Sequence, residues 1–298
     1  MKLEGVAAFV AVAEAGSISE AARRLRLAKS VVSERLSELE ERLGGKLFHR
    51  TTRKLTLTED GAAFLERATR ITREVEEAAA DFTERRGALS GPLRLSAPVT
   101  FGRMHLAPAL WPFLAANPAI TLRLELDDRR VDASAEGYDA VIRHGMIEDS
   151  RLIVWTLASS RRVFVASADY LARRGSPRTV EELECHDGIF YSNRGVADWR
   201  LAGAEGARLV RARAALILNN GDLMRDAAIA GLGITLLPIF IVSEAIRDAR
   251  LTIIDVGWKA EDEQIYIAHP EGRQPSAKLR ALAEHLRQAF GSPPHWDL

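Results

Sequence analysis

Cysteine is nearly absent from this chain of 298 residues. Cys185 stands alone, so no disulfide within the chain can hold the fold. Its neighbours in Cys185-His186-Asp187 do not make it a nucleophile, because residues adjacent in sequence rarely face each other as a catalytic pair; it reads as small core filler. Net charge is also missing: 41 basic residues balance 41 acidic ones, so any basic patch must be local. No apolar run reaches membrane-spanning length; the greasiest, 229–242, is broken by Gly231, Gly233 and Pro238. The start, Met1-Lys-Leu-Glu-Gly-Val, shows no signal-peptide pattern, and the expected location is the cytoplasm, with no membrane partner. The histidines (49, 105, 144, 186, 269, 285 and 295) have no ligand spacing, so no metal is expected. Gly231-Leu-Gly-Ile-Thr-Leu lacks the third glycine of a dinucleotide fingerprint, and neither a phosphate loop nor Gly-x-Ser-x-Gly occurs. These absences argue against an enzyme and against a cofactor. Apolar residues at 47% nevertheless suffice for real cores, and the length suits two or three compact units.

What is present is concentrated in residues 19–57. Val6, Phe9, Val10 and Ala13 form the apolar face of a bracing helix that ends at Gly16. Ser19 is then expected to cap a short helix packed through Ala21, Ala22 and Leu25. A second helix is expected over 28–43, with Val32, Leu36, Leu39 and Leu43 as one stripe and Gly44 as its left-handed stop. Its other face carries Ser30, Glu34 and Ser37, with Ser33 on the flank, and short polar side chains of this kind suit a major groove. From 21 to 58 there are ten basic and four acidic residues, the local positive charge that phosphate contact requires. Segments 47–48 and 55–57 read as strands of a basic ribbon, a wing with Arg50-Thr-Thr-Arg-Lys54 at its tip. The candidate DNA contacts are Lys29, Ser30, Ser33, Glu34 and Arg35 on the helix and Arg50, Thr52 and Arg53 on the wing. The bland alternative for the helix is an ordinary solvated face.

A long helix follows to about residue 89, capped by Thr58, with Glu59-Asp60 at the positive end of its dipole. Phe64, Ala68, Ile71, Val75, Ala78 and Phe82 recur at spacings of four and three. That is a heptad seam for dimerisation, narrow and flanked by charge. Packing on its own domain is the competing reading; a dimer would present two reading heads to one interrupted palindrome. Ser90-Gly91-Pro92 ends the helix.

Beyond Pro92 strands and helices alternate. Strands are expected at 93–96, 120–126, 138–143, 163–166, 188–191, 214–218, 233–237, 251–255 and 265–267, and a final helix buries Leu279, Leu282, Leu286 and Phe290. This is an α/β pattern with mostly parallel sheets; length alone leaves one sheet or two open. Ligands in such sheets sit beyond the carboxyl ends of strands. Residues at such ends, or just past them, are Ser96, Thr100 and Phe101, then Arg143 and His144, then Ser192 with Trp199 beyond it, then Asn220. Free N–H groups at the helix opened by Thr100 and Phe101 suit a carboxylate, and Arg143 offers a cation, so a small organic acid is the expected ligand. A plain helix cap or core aromatic is the alternative for each of these residues.

Several stretches resemble the LysR-type transcriptional regulators: Phe9-Val-Ala-Val-Ala-Glu-Ala-Gly-Ser-Ile-Ser19, Val32-Ser33, Leu39-Glu40-Glu41, and Leu47-Phe-His-Arg-Thr-Thr-Arg-Lys-Leu-Thr-Leu-Thr-Glu-Asp-Gly61. Further along, Ser96-Ala-Pro-Val-Thr-Phe-Gly102, Asp127-Asp-Arg-Arg-Val-Asp132, Asn219-Asn-Gly221 and Gly231-Leu-Gly-Ile-Thr-Leu-Leu-Pro238 extend the likeness. The resemblance implies a winged helix-turn-helix over 1–58, a linker and dimerisation helix over 59–90, and an effector domain over 91–298 with the two-lobed periplasmic-binding-protein fold. Lobe one would be 92–162 with 266–298, and lobe two 163–265. It further implies double-stranded operator DNA, a small-molecule effector and a second copy of the chain as partners, a tetramer of paired dimers, and RNA polymerase as a further contact. It supports Thr100 and Trp199 in particular as effector contacts. A solute-binding module without regulatory response is the alternative for the effector domain. Two positions depart from the family pattern: Ala28 stands where a capping Ser or Thr is usual, and Glu34 where Arg is frequent. They leave the mode of binding intact and the operator sequence open.

Overall fold

A computed structural model describes residues 2–50, 55–84, 89–129, 131–145, 152–192, 198–203, 206–261, 263–271 and 274–297, without the side chains of 50, 73, 76, 77 and 80–84. Two compact units are seen, residues 1–91 and 92–298.

In the first unit, α1 (Leu3–Ala15) stops at Gly16, whose φ of 64° favours glycine. Helix α2 (Ile18–Leu25) starts earlier than expected: Ser17 is its cap, and the Glu20 N–H donates to Ser17 Oγ at 3.4 Å. Ser19 lies inside the helix. Ser17-Ile-Ser-Glu20 carries the Ser-x-x-Glu spacing of a capping box, a signal the choice of Ser19 passed over. Helix α3 (Lys29–Leu43) has Ala28 at its cap with no side-chain bond, and Gly44 (φ 70°) closes it. Val32, Leu36 and Leu39 are buried as the stripe requires, but Leu43 at its end is 42% exposed.

Strands β1 (Phe48–Arg50) and β2 (Leu55–Leu57) pair antiparallel, Phe48 opposite Leu57. Thr58 Oγ1 accepts the Gly61 N–H at 2.9 Å and donates to the Lys46 carbonyl at 2.7 Å, tying helix α4 (Glu59–Glu84) to the ribbon. A Cβ at Gly61 would sit 2.1 Å from the Leu47 carbonyl oxygen, so only glycine fits. Phe9 joins the pieces, its ring 5.3 Å from Phe48 and 5.4 Å from Phe64. The first residues of the heptad seam are therefore corrected. Ala68 is buried in the core of its own unit and Phe64 packs against it, because α1 covers this end of α4. Further along, Ile71 is half-buried, Val75 is 44% exposed and Ala78 is exposed.

The second unit begins with β3 (Gly91–Ala97), α5 (Val99–Phe101), a π-helical turn (Gly102–Leu106) and α6 (Ala107–Ala116). Next come β4 (Ile120–Leu126), β5 (Ala140–Gly145), β6 (Leu152–Ser160), β7 (Arg162–Ala166), α7 (Ala168–Arg174), α8 (Val180–Glu184) and β8 (Asp187–Tyr191). Strands β9 (Trp199–Gly203), β10 (Gly206–Val210) and β11 (Arg213–Leu218) precede α9 (Gly221–Ile229), β12 (Ile234–Pro238) and α10 (Ile239–Arg247). Strands β13 (Thr252–Ile254), β14 (Lys259–Ala260) and β15 (Glu263–Pro270) and helix α11 (Ala277–Phe290) complete it. Lobe one is built on the sheet β4-β3-β5-β15-β6 and lobe two on β11-β8-β12-β7-β13; β10-β9-β14 is a small third sheet. Strand β6 and the β9–β10 hairpin were not expected.

Both large sheets are mixed, a correction to the mostly parallel expectation. Strands β3 and β5, β11 and β8, and β12 and β8 run parallel, but β7 is antiparallel to β12 and β13, and β15 to β5 and β6. Parallel neighbours need a crossover, usually helical, on one lobe. Strand β7 follows β6 of the other lobe across Arg161, and β15 comes soon after β14 of the small third sheet, so no such crossover sets their direction. Leu279, Leu282, Leu286 and Phe290 of α11 are buried as their spacing demands. Cys185, expected as core filler, is exposed at the end of α8.

Candidate functional sites

Helix α3 turns its apolar stripe onto α1 and α2 and leaves the other side open. Lys29, Ser30 and Glu34 are exposed and Ser33 and Arg35 half-exposed. None of the five side chains bonds to another of the described residues, whereas the acids nearby are engaged: Glu38 pairs with Lys2 at 2.8 Å and Arg42 at 3.4 Å, and Glu20 with Arg23 and Arg24. A cationic and hydroxylic helix edge free of internal partners can reach bases and phosphates. Thr52 and Arg53 lie outside the described residues, as do the side chains of Arg50 and Phe82.

In the second unit a cavity of about 350 Å³ opens between the lobes, lined by Val99, Leu126, Asp127, Asp128, Arg129, Asn219 and Asn220. Val99 of α5 and the end of β4 form one wall, and Asn219-Asn220 at the start of α9 form the other, while Ser96 is buried behind them. Asn220 lines the cavity and caps α9 by accepting the Leu223 N–H at 3.1 Å. Thr100 Oγ1 lies 3.1 Å from Asp222 Oδ2, a bond from lobe one to lobe two. Arg143 Nη2 donates to Ser96 Oγ at 2.9 Å, and Nη1 to the Ile142 carbonyl at 2.8 Å. No carboxylate among the described residues forms an ion pair with Arg143. Burial pulls its proton affinity down, partly offset by Tyr266 and Asp127, and it remains a cation.

Of the eight expected effector contacts, only Asn220 is in this lining. Phe101 is buried beneath α5 against Phe240, Phe290 and Trp296. Trp199 is 3% exposed in the lobe-two core, stacked on Phe190 at 4.7 Å and edge-on to Phe164 at 5.1 Å. The reading that placed it in a cleft wall missed β9, which turns the indole inward. His144 meets Glu263 at 3.0 Å, on the opposite face of β5 from Arg143, since successive strand residues point to opposite sides. The N–H groups of α5 are not all free either: Asp128 Oδ1 accepts the Val99 N–H at 2.9 Å. Ser192 is exposed at the end of β8. The sequence places Asp128 and Arg129 only within the family-like run 127–132, and Asp222 only at the strand end after Asn219-Asn220-Gly221.

A helix-turn-helix with a ribbon, followed in the chain by a two-lobed α/β unit with a cleft, defines a DNA-binding regulator carrying its own ligand-binding domain. Residues 3–62 match the family profile described as the bacterial regulatory helix-turn-helix protein, lysR family, and residues 86–291 match the LysR substrate binding domain. An HTH-type transcriptional regulator of Haemophilus influenzae is 31% identical over 283 residues, covering 95% of this chain and 98% of its own. PtxR, an HTH-type transcriptional regulator of Pseudomonas aeruginosa, is 32% identical over 297 residues, covering 99% and 95%. Among solved structures, CrgA, a LysR-type regulator from Neisseria meningitidis, superposes with a TM-score of 0.61 at 28% identity, covering 98% of this chain and all of its own. The chain belongs to the LysR family of transcriptional regulators. Its homologues are regulators, not enzymes. Among the described residues, no helix is long and apolar enough to cross a membrane.

Proposed function

We propose that the protein acts in the cytoplasm as a homodimer, pairing further into a tetramer, that binds an interrupted palindrome and responds to a small organic acid. Lys29, Ser30, Ser33, Glu34 and Arg35 read the major groove, and the wing residues Arg50, Thr52 and Arg53 hold the phosphates. The observation that carries the DNA half is the α3 edge, exposed and without internal partners. Ile71, Val75 and Ala78 continue the dimer seam past the part of α4 that packs at home.

The ligand half rests on Arg143, a partly buried guanidinium that donates to a hydroxyl and two carbonyls and, among the described residues, has no carboxylate as ion-pair partner. A ligand carboxylate beside it supplies a direct ion-pair partner, with Val99 and Asn220 on the two walls. Asp127 and Asp128 at the mouth oppose a second negative charge, which favours a monoacid over a diacid. Fluorescence anisotropy on the intergenic DNA beside the protein's own gene tests the first half: tight binding that weakens steeply with salt is expected. Absence of binding at low salt refutes it. Calorimetry with a panel of carboxylates and neutral analogues tests the second, and heat from the neutral compounds alone refutes it.

A further inference from the structure

A second, larger cavity, about 600 Å³, lies apart from the cleft just described. That volume falls in the usual range for small-molecule sites. Its walls come from the π-helical turn, from α9, from α10 and from the C-terminal segment, and four of them are arginines: Arg103, Arg225, Arg247 and Arg250. Glu244 is the sole carboxylate in the lining, and Met104 and Ile241 supply an apolar floor. His105 and His295 meet at 3.2 Å on one side. Burial holds His105 below its ordinary value, so the positive charge belongs to the arginines.

The arginines are positioned without being used up. Arg225 is held by Asp222 at 3.0 Å and Asp226 at 2.9 Å, Arg103 by Asp222 at 2.8 Å, and Arg250 by Asp248 at 3.0 Å. Arg247 has no ion pair among the described residues; its Nη2 reaches only the His295 carbonyl, at 3.5 Å. Arg225 is engaged at all three nitrogens, by Asp226 at Nε and Nη2 and by Asp222 at Nη1, whereas Arg103, Arg247 and Arg250 are each engaged at Nη2 alone and keep most of their five N–H donors. Several such forks around one cavity match the oxygens of a phosphate better than the two of a carboxylate.

We infer that this cavity is a second ligand site, taking a small phosphate-bearing metabolite between Arg103, Arg225, Arg247 and Arg250. Asp222 connects it to the cleft. On lobe two, Asp222 accepts from Thr100 Oγ1 and from Arg103, both on lobe one, so it latches the lobes together. A phosphate that draws Arg103 toward itself loosens that latch. Occupancy of the second site then changes the affinity of the first, and by linkage the reverse.

The probe is pyrophosphate, added to the full-length protein and followed by thermal melting and by 31P line broadening, with sodium chloride matched for ionic strength. Wild type is expected to be stabilised beyond the chloride control. Arg247→Gln with Arg250→Gln is expected to weaken pyrophosphate at least roughly tenfold, the loss of charge-assisted bonds, while Arg143→Gln leaves it unchanged. The basic head is intact in both variants, so phosphate held there does not enter the comparison. Should the double variant lose its cooperative melt, the single Arg250→Gln protein and the 31P measurement carry the test. Equal broadening in wild type and variants, or no effect beyond chloride, overturns the site. So does a variant that binds duplex DNA less well while pyrophosphate has no effect on wild type, because the cavity would then take the DNA backbone.

Discussion

Glu40 Oε1 accepts the backbone N–H of Leu47 at 3.0 Å, with the carboxylate 1% exposed. One turn from the end of α3, this carboxylate anchors the entry to the ribbon. Its other oxygen meets Lys46 Nζ at 2.8 Å, a pair whose lysine is largely exposed and adds little. Glu40→Ala leaves a buried N–H without its acceptor. It is expected to destabilise the first unit by about 2 kcal/mol and to weaken DNA binding through a displaced wing. Urea unfolding beside anisotropy measures both.

Glu34 faces outward at the point where family members often carry Arg. In the major groove, a carboxylate there is expected to accept from cytosine N4. Glu34→Gln is expected to relax preference at one operator position by about 1–3 kcal/mol, leaving the salt slope of binding unaltered. Selection of random duplexes by the two proteins reads the change; identical preferences would remove α3 from the groove.

Along α4, self-association is expected to depend on Ile71 and Val75 but not on Phe64, which packs against Phe9 in its own unit. Ile71→Asp or Val75→Asp removes roughly 1.5–3 kcal/mol of apolar burial per chain and places a charge in the seam. Sedimentation equilibrium should show dimer association weakened by roughly a hundredfold with the melting profile of each unit retained.

Arg143→Gln keeps a donor for Ser96 and deletes the charge. A carboxylate ligand is expected to lose about 2 kcal/mol, roughly thirtyfold in Kd, while an amide analogue of the same ligand binds both proteins alike. Calorimetry on the pair distinguishes the two outcomes.

His105, His186 and His269 are all held below the ordinary histidine value of 6.5, each first by burial. The unfolded chain therefore binds more protons than the folded one in this range, and stability rises with pH. The contribution is whole above 6.5 and is lost as pH falls through the lower, folded values. Melting temperature is expected to be level above neutrality and to drop on acidification, with a shallower drop for His269→Gln. Calorimetric scans across pH 5–8 check the sign.

Local chemistry decided much of the first unit, and for that reason it was legible. Helix periodicity, the Gly16 and Gly44 stops and the Thr58 cap act over a few residues, so their signals sit side by side in the chain. The Ser17 cap obeys the same logic and was misplaced only because Ser19 competes for the role. Alternation along β5 likewise contains the fact that Arg143 and His144 cannot share a face. Long-range packing decided the rest. Nothing near Trp199 announces that Phe190 and Phe164 will enclose it, and nothing near Phe64 that Phe9 will reach it. Strand direction in both lobes followed from where the chain enters each sheet. The meeting of Thr100, Arg103 and Asp222, 119 and more positions apart, exists only once the lobes close on each other. Periodicity and capping act within a turn or two, whereas burial and ion pairing depend on which distant surfaces the fold brings into contact.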